Sequence, residues 1–140
     1  MRILIDTNIV VDVATLREPF FENSDRLLVC CEEGKIKGHL SASTISDIFY
    51  IVRKVRGKDW TLDFLKRLID FCEVLPVDQA VIKRALASDP KDFEDAIQYQ
   101  TALIACLDGI VTRNPKDYAE ASISVFTPAE LLATIGEKLA

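Results

Sequence analysis

Short apolar runs alternating with longer amphipathic stretches set the strongest limit on what this chain can fold into. Met1 to Ile5, His39 to Ala42, Gly109 to Thr112 and Ile123 to Phe126 each read as a strand, and Val74 to Val77 as a strand or an extended segment. Helical stretches separate the first four in chain order. Ile9 to Val13 enters a helix or turn that Glu18-Pro19 interrupts, and Ser24 can cap a helix carrying Leu27, Leu28 and Cys31 as far as Gly34. Ser43 or Thr44 can cap the next, with Ile45, Ile48, Phe49, Val52 and Val55 on its apolar face and Gly57 near its end. A helix from about Thr61 turns Leu62, Leu65, Ile69 and Cys72 inward. Gln79 to Ala87 makes a shorter one, Phe93 to Cys106 a long one after the break at Asp89-Pro90, and Pro128 opens the last. Strands joined through helices pair in parallel by right-handed crossovers with helices on both faces. The expected class is therefore α/β, a three-layer α/β/α sandwich around a five-stranded parallel sheet.

At 140 residues, without internal repeats or Gly/Ser linkers, the chain is expected to form one domain over 1–140. No stretch approaches the roughly 20 apolar residues of a membrane span, and the start of the chain lacks the hydrophobic region and cleavage site of a signal peptide. Cys30, Cys31, Cys72 and Cys106 have no C-x-x-C spacing and His39 is the only histidine, which leaves no ligand set for structural zinc. Buried thiols in a reducing cytoplasm are expected, and His39 reads as structural. A formal charge of -5 argues against a broadly basic nucleic-acid coat. It leaves room for a nucleic-acid enzyme whose carboxylates bind metal.

Those carboxylates recur where a parallel sheet would gather them. Asp6 follows the first strand, in Asp6-Thr7-Asn8, and Asp47 falls in the first turn of the helix after the second. Asp92 and Asp95 begin the helix before the fourth strand, and Asp117 follows that strand. In open parallel sheets ligands bind outside the carboxyl ends of the strands. Separate acids at strand and helix ends are each explained by turns, caps or the helix dipole, but their joint placement along one edge is not. Carboxylates gathered within a few ångströms repel one another unless a cation lies among them, and oxygen-only ligands favour Mg²⁺ or Mn²⁺.

Five ordered strings resemble the PIN domain family, in particular its VapC-like branch. They are Ile3-Leu4-Ile5-Asp6-Thr7-Asn8, Ser43-x-x-x-Asp47-x-Phe49-Tyr50, Asp92-x-x-Asp95-Ala96-x-Gln98, Val111-Thr112-Arg113-Asn114-x-x-Asp117-Tyr118 and Val125-x-Thr127-Pro128-x-Glu130-Leu131-Leu132. The resemblance implies Mg²⁺- or Mn²⁺-dependent cleavage of RNA by the toxin of a toxin-antitoxin pair, commonly a homodimer inhibited by its cognate antitoxin. Carried over by position, it makes Asp6, Asp47, Asp95 and Asp117 the metal-binding catalytic acids and Asp92 an additional acid at their edge. Thr7, Asn8 and Asn114 become supporting residues. The acids would hold one or two ions, with an activated water attacking phosphorus. The sequence departs from the family at Asp47, where most members carry Glu. That shorter side chain keeps a second expectation open: a catalytically weak or inactive PIN module that binds RNA or a protein partner.

RNA also needs positive surface. Arg53, Lys54, Arg56 and Lys58, with Trp60 beside them, could contact phosphates or stack a base, or could form a solvated loop over an anchored Trp60. Arg113 is either a phosphate contact or half of a structural ion pair. Phe20, Phe21, Phe49, Ile51 and Phe64 are either core or a dimer contact. A haloacid-dehalogenase-like phosphatase would need a second Asp two residues after Asp6, and that position is Asn8.

Overall fold

A computed structural model describes residues 1–137. Its elements alternate as the hydrophobic pattern requires: β1 (Arg2–Ile5), α1 (Thr7–Ala14), α2 (Phe21–Glu32), β2 (Lys37–Ser41), α3 (Ala42–Arg56), α4 (Lys58–Phe71) and β3 (Cys72–Leu75). There follow α5 (Gln79–Ala87), α6 (Phe93–Ile104), β4 (Gly109–Val111), a 3₁₀ turn at Pro115–Tyr118, β5 (Ser124–Phe126) and α7 (Pro128–Thr134). The five strands are all parallel in the order β3-β2-β1-β4-β5. This is the three-layer α/β/α sandwich. Successive side chains of β1 serve opposite layers, Ile3 and Ile5 packing with α1, α2, α3, α4 and α7, and Leu4 with α6.

Strand order places the site. The chain moves outward from β1 to β2 and β3, then crosses back to start β4 on the other side of β1, so the connections diverge between β1 and β4. At such a switch point a crevice opens beyond the carboxyl ends of the two strands. Asp6 and Thr112, the residues that immediately follow β1 and β4, stand at that crevice.

Several helices differ in phase from the sequence expectation. α2 begins at Phe21, so Ser24 is buried inside it rather than capping it. α3 starts directly after Ser41, which puts Ser43 and Thr44 within the helix and Asp47 in its second turn, where a helix-dipole role no longer accounts for the acid. Only Gly57 separates α3 from α4, and its φ of +83° is one that a side chain would resist. With α4 starting at Lys58, its inward stripe is Thr61, Leu65 and Leu68, while Leu62 and Ile69 are exposed. Thr61 tolerates burial because its hydroxyl donates to the Gly57 carbonyl at 2.7 Å. Val55 and Ile104 are likewise exposed. Cys30, Cys31 and Cys72 are buried thiols, whereas Cys106, in the turn after α6, is exposed. His39 is buried in the middle of β2, its Nδ1 2.9 Å from the Lys37 carbonyl and its Nε2 3.3 Å from Glu73.

Gly109 is required by close approach. A Cβ there would lie 2.7 Å from the Ser124 carbonyl oxygen, a backbone atom fixed by the β4–β5 ladder. Gly109→Ala is expected to destabilise the fold by about 1–3 kcal/mol, read as a lower urea midpoint at unchanged slope.

Candidate active site

Asp6 is almost completely buried, and its carboxylate is met by polar side chains. Its Oδ1 accepts from Gln98 Nε2 at 3.1 Å; its Oδ2 accepts from Thr112 Oγ1 at 2.8 Å and from the Tyr118 hydroxyl at 3.2 Å. Asn8 Nδ2 lies 3.5 Å from the same oxygen and 3.4 Å from Thr112 Oγ1. A carboxylate so oriented has lost its rotational freedom, and no base pairs with it among the described residues. Burial and the neighbouring negative charge of Asp6 push the Tyr118 phenol far up, so it stays a donor.

The first turn of α6 faces this carboxylate. Asp92 caps the helix, its Oδ1 accepting from the Asp95 amide at 2.9 Å. Asp95, half-buried, has its carboxyl pushed up to about 7, first by desolvation and then by Asp6, Asp92, Asp117 and Glu94. Glu94 is raised by desolvation and by the charges of Asp47, Asp6 and Asp92, against a 2.8 Å hydrogen bond donated by Thr7 Oγ1. Asp117 lies exposed on the 3₁₀ turn after β4. The fields of the two helix acids therefore divide the remaining set: Asp47 bears on Glu94, and Asp117 on Asp95.

Of the residues expected to act together, Asp6 and Asp95 are neighbours in one field, with Asp117 beside Asp95. Asp47 approaches from α3 through Glu94. As they stand, no three acidic, histidine or cysteine side chains among the described residues close onto a point where an ion could be held. None of these acids forms an ion pair with a described base.

Thr7 and Asn8 lie beside the Asp6 carboxylate at the start of α1. The Thr7 hydroxyl donates to Glu94 at 2.8 Å and lies 3.2 Å from the Thr44 hydroxyl, its amide reaches Gln98 Oε1 at 3.3 Å, and Asn8 Oδ1 accepts from the Arg113 amide at 3.2 Å. Asn114 is exposed, and its amide donates to Thr112 Oγ1 at 3.2 Å. The basic run lies elsewhere. α3 starts beside the acids and carries Arg56 roughly 13 Å of helix rise beyond Asp47, where the Arg56 guanidinium stacks 3.9 Å over the half-buried Trp60 ring. Arg53 lies over Phe49 and Tyr50, and Lys54 and Lys58 are exposed. Arg113 forms an ion pair with Asp12 at 3.2 Å.

A model of the PIN domain family matches residues 2–116. The chain belongs to the PIN domain family. Ribonuclease VapC1 of Aquifex aeolicus is 24% identical over 136 residues, covering 92% of each protein. A chain of a Klebsiella pneumoniae toxin-antitoxin complex is 25% identical with a TM-score of 0.67, over 89% of this chain and 96% of that one. Mycobacterium tuberculosis VapC20, described as a Sarcin-Ricin loop cleaving toxin, has the same fold at 13% identity, with a TM-score of 0.70 over 84% and 94% of the two chains.

Sequence reasoning about this PIN domain passed over Glu94, Gln98, Thr112 and Tyr118 as site residues. Glu94 and Gln98 are one helical turn apart on α6, the spacing that sets two side chains on one face. That signal was available; the contacts from Thr112 and Tyr118 depend on how the segment after β4 folds back. A cleft of about 660 Å³ also opens beside Asp95 and Asp117, with Lys91 and Lys116 on its walls and Tyr99 and Gln100 among its lining. Neither lysine forms an ion pair with a described carboxylate.

Proposed function

We propose that this chain is a Mg²⁺- or Mn²⁺-dependent ribonuclease, one PIN-like domain over residues 1–140 acting as the toxin of a toxin-antitoxin pair. The observation that carries the reading is the buried Asp6 carboxylate, oriented by four side chains at the β1–β4 switch point and faced by acids that no base among the described residues neutralises. The donor chemistry fits a hard divalent cation: oxygen atoms only, without an ion-pair partner among the described residues, with burial and the neighbouring acids together raising the Asp95 carboxyl. Asp6, Asp47, Asp95 and Asp117 would hold it, with Asp92 at the edge. Bound there, such an ion supplies Lewis acidity that makes water a better nucleophile and stabilises the leaving oxygen.

The chain's own residues do the remaining work. Gln98, Thr112 and Tyr118 fix the direction of Asp6; Thr7 and Asn8 hold the start of α1 against α6 and the β4 loop. Lys91 and Lys116 are the basic groups of the adjoining cleft, within which an RNA strand would find phosphate contacts. Relatives whose solved structures are toxin-antitoxin complexes support a protein antitoxin as the inhibitor. Exposed Tyr50, Ile51 and Val55 on α3 support a homodimer, and a cytoplasmic location is proposed with it.

A broad set of end-labelled single-stranded RNAs, incubated with the purified protein in Mn²⁺ and in EDTA, tests the activity. Metal-dependent phosphodiester products are expected. RNA bound but uncut in both conditions would instead favour the non-cutting PIN module, a reading that the shorter Asp47 side chain keeps in view. Glu94→Gln keeps an acceptor for the Thr7 hydroxyl while removing charge, and is expected to weaken Mn²⁺ binding about 10-fold. Electron paramagnetic resonance of free Mn²⁺ measures it; unchanged affinity would confine Glu94 to holding Thr7.

A further inference from the structure

Asp12 lies outside the acidic set, in the middle of α1, and its side chain is almost wholly buried. Its Oδ1 accepts from Arg113 Nη1 at 3.2 Å, while its Oδ2 has no hydrogen-bond partner among the described residues. Desolvation raises the Asp12 carboxyl against the opposing pull of Arg113 and Arg17. A buried ion pair of this kind adds little stability, because taking two charges out of water offsets most of their attraction. Its value therefore has to be sought in what it holds.

It holds the segment that follows β4. The Arg113 guanidinium lies 4.6 Å over the Phe20 ring while gripping Asp12, and the Arg113 amide donates to Asn8 Oδ1 at 3.2 Å. One residue earlier, Thr112 Oγ1 donates to Asp6 Oδ2 at 2.8 Å and accepts from the Asn114 amide at 3.2 Å. Thr112 and Arg113 are adjacent, so an arginine held at both its amide and its guanidinium restrains the backbone that carries the threonine hydroxyl. We propose that Asp12 is a positioning residue for the active site: by clamping Arg113 against Phe20 it sets the Thr112 hydroxyl on Asp6 and so the direction in which that carboxylate is presented. This rests on reading Asp6 as a metal-binding catalytic acid.

The clamp and the fold are separable. Removing one partner strands the other charge, whereas replacing both with apolar residues of similar size leaves packing near neutral. Asp12→Leu combined with Arg113→Met is expected to melt close to the wild type, to bind Mn²⁺ about 10-fold more weakly, and to lose kcat on RNA with KM little changed. Wild-type Mn²⁺ affinity and kcat in that folded double variant would overturn the proposal. If the double variant does not fold, Asp12→Asn and Thr112→Val are combined and Mn²⁺ affinity is measured across the cycle. Effects that fail to add support action through Thr112; strictly additive effects overturn it. A wild-type protein that binds no Mn²⁺ overturns the metal reading itself, an outcome distinct from either of these.

Discussion

Replacing Asp6 with asparagine is expected to lower kcat/KM for RNA cleavage by about 10²–10⁴-fold while the metal-free protein melts no lower than wild type. The two halves of that expectation have separate causes. Asparagine keeps the shape of the side chain and an oxygen for Gln98, while the Thr112 and Tyr118 hydroxyls lose the acceptor they donate to, a cost set against the relief of charge repulsion. It also removes a negative charge facing Asp95 and Glu94. What it removes from function is the most rigidly held carboxylate of the site. A thermal melt in EDTA beside kcat/KM in Mn²⁺ checks both; a variant that loses activity only by unfolding would show that Asp6 is structural.

Stability of the metal-free protein is expected to fall as pH rises from 5 to 8. Asp95 has its carboxyl raised from the ordinary 3.8 to about 7, so between those values the folded chain keeps a proton that the unfolded chain releases. The resulting stability is present below the usual carboxylate range and is lost as pH climbs through 7. Glu94, raised by the same surroundings, acts in the same direction. Glu137 acts oppositely: Lys35 and Arg26 hold it low, so its contribution disappears only as pH falls below its ordinary range. Saturating Mn²⁺ should reverse the upper trend, since an ion competes with protons for the same oxygens and stabilises most where they are ionised. Melting temperatures across pH 5 to 8, in EDTA and in Mn²⁺, provide the check. A flat metal-free profile would mean that the acids do not interact as described.

The layer order, strand count and acidic edge were legible because they rest on hydrophobic period and on residues at strand ends. β1 with Asp6 and β4 with Thr112 needed only an apolar run followed by a polar residue. Helix phase was less legible. Leu62 and Ile69 give α4 an apolar stripe as convincing on paper as the real one, which includes a buried threonine satisfied by its own backbone. The basic run at 53–58 is a candidate RNA surface on sequence grounds because its charges are close together. Helix rise carries it away from Asp47, and Arg56 packs on Trp60. Glu94 was overlooked between two aspartates that already satisfied the pattern, and Asp12 because nothing local to α1 signals a partner 101 residues away. Contacts that join distant segments leave no period and no spacing to read.

Binding of Mn²⁺ to the wild-type protein and to Asp6→Asn, followed by electron paramagnetic resonance on the samples used for cleavage, tests the central claim most directly. The account predicts that the wild type binds at least one ion per chain, cuts RNA only when it does so, and loses both properties with the substitution. RNA cleavage that persists in EDTA, or ion binding and cleavage that survive Asp6→Asn, would contradict it.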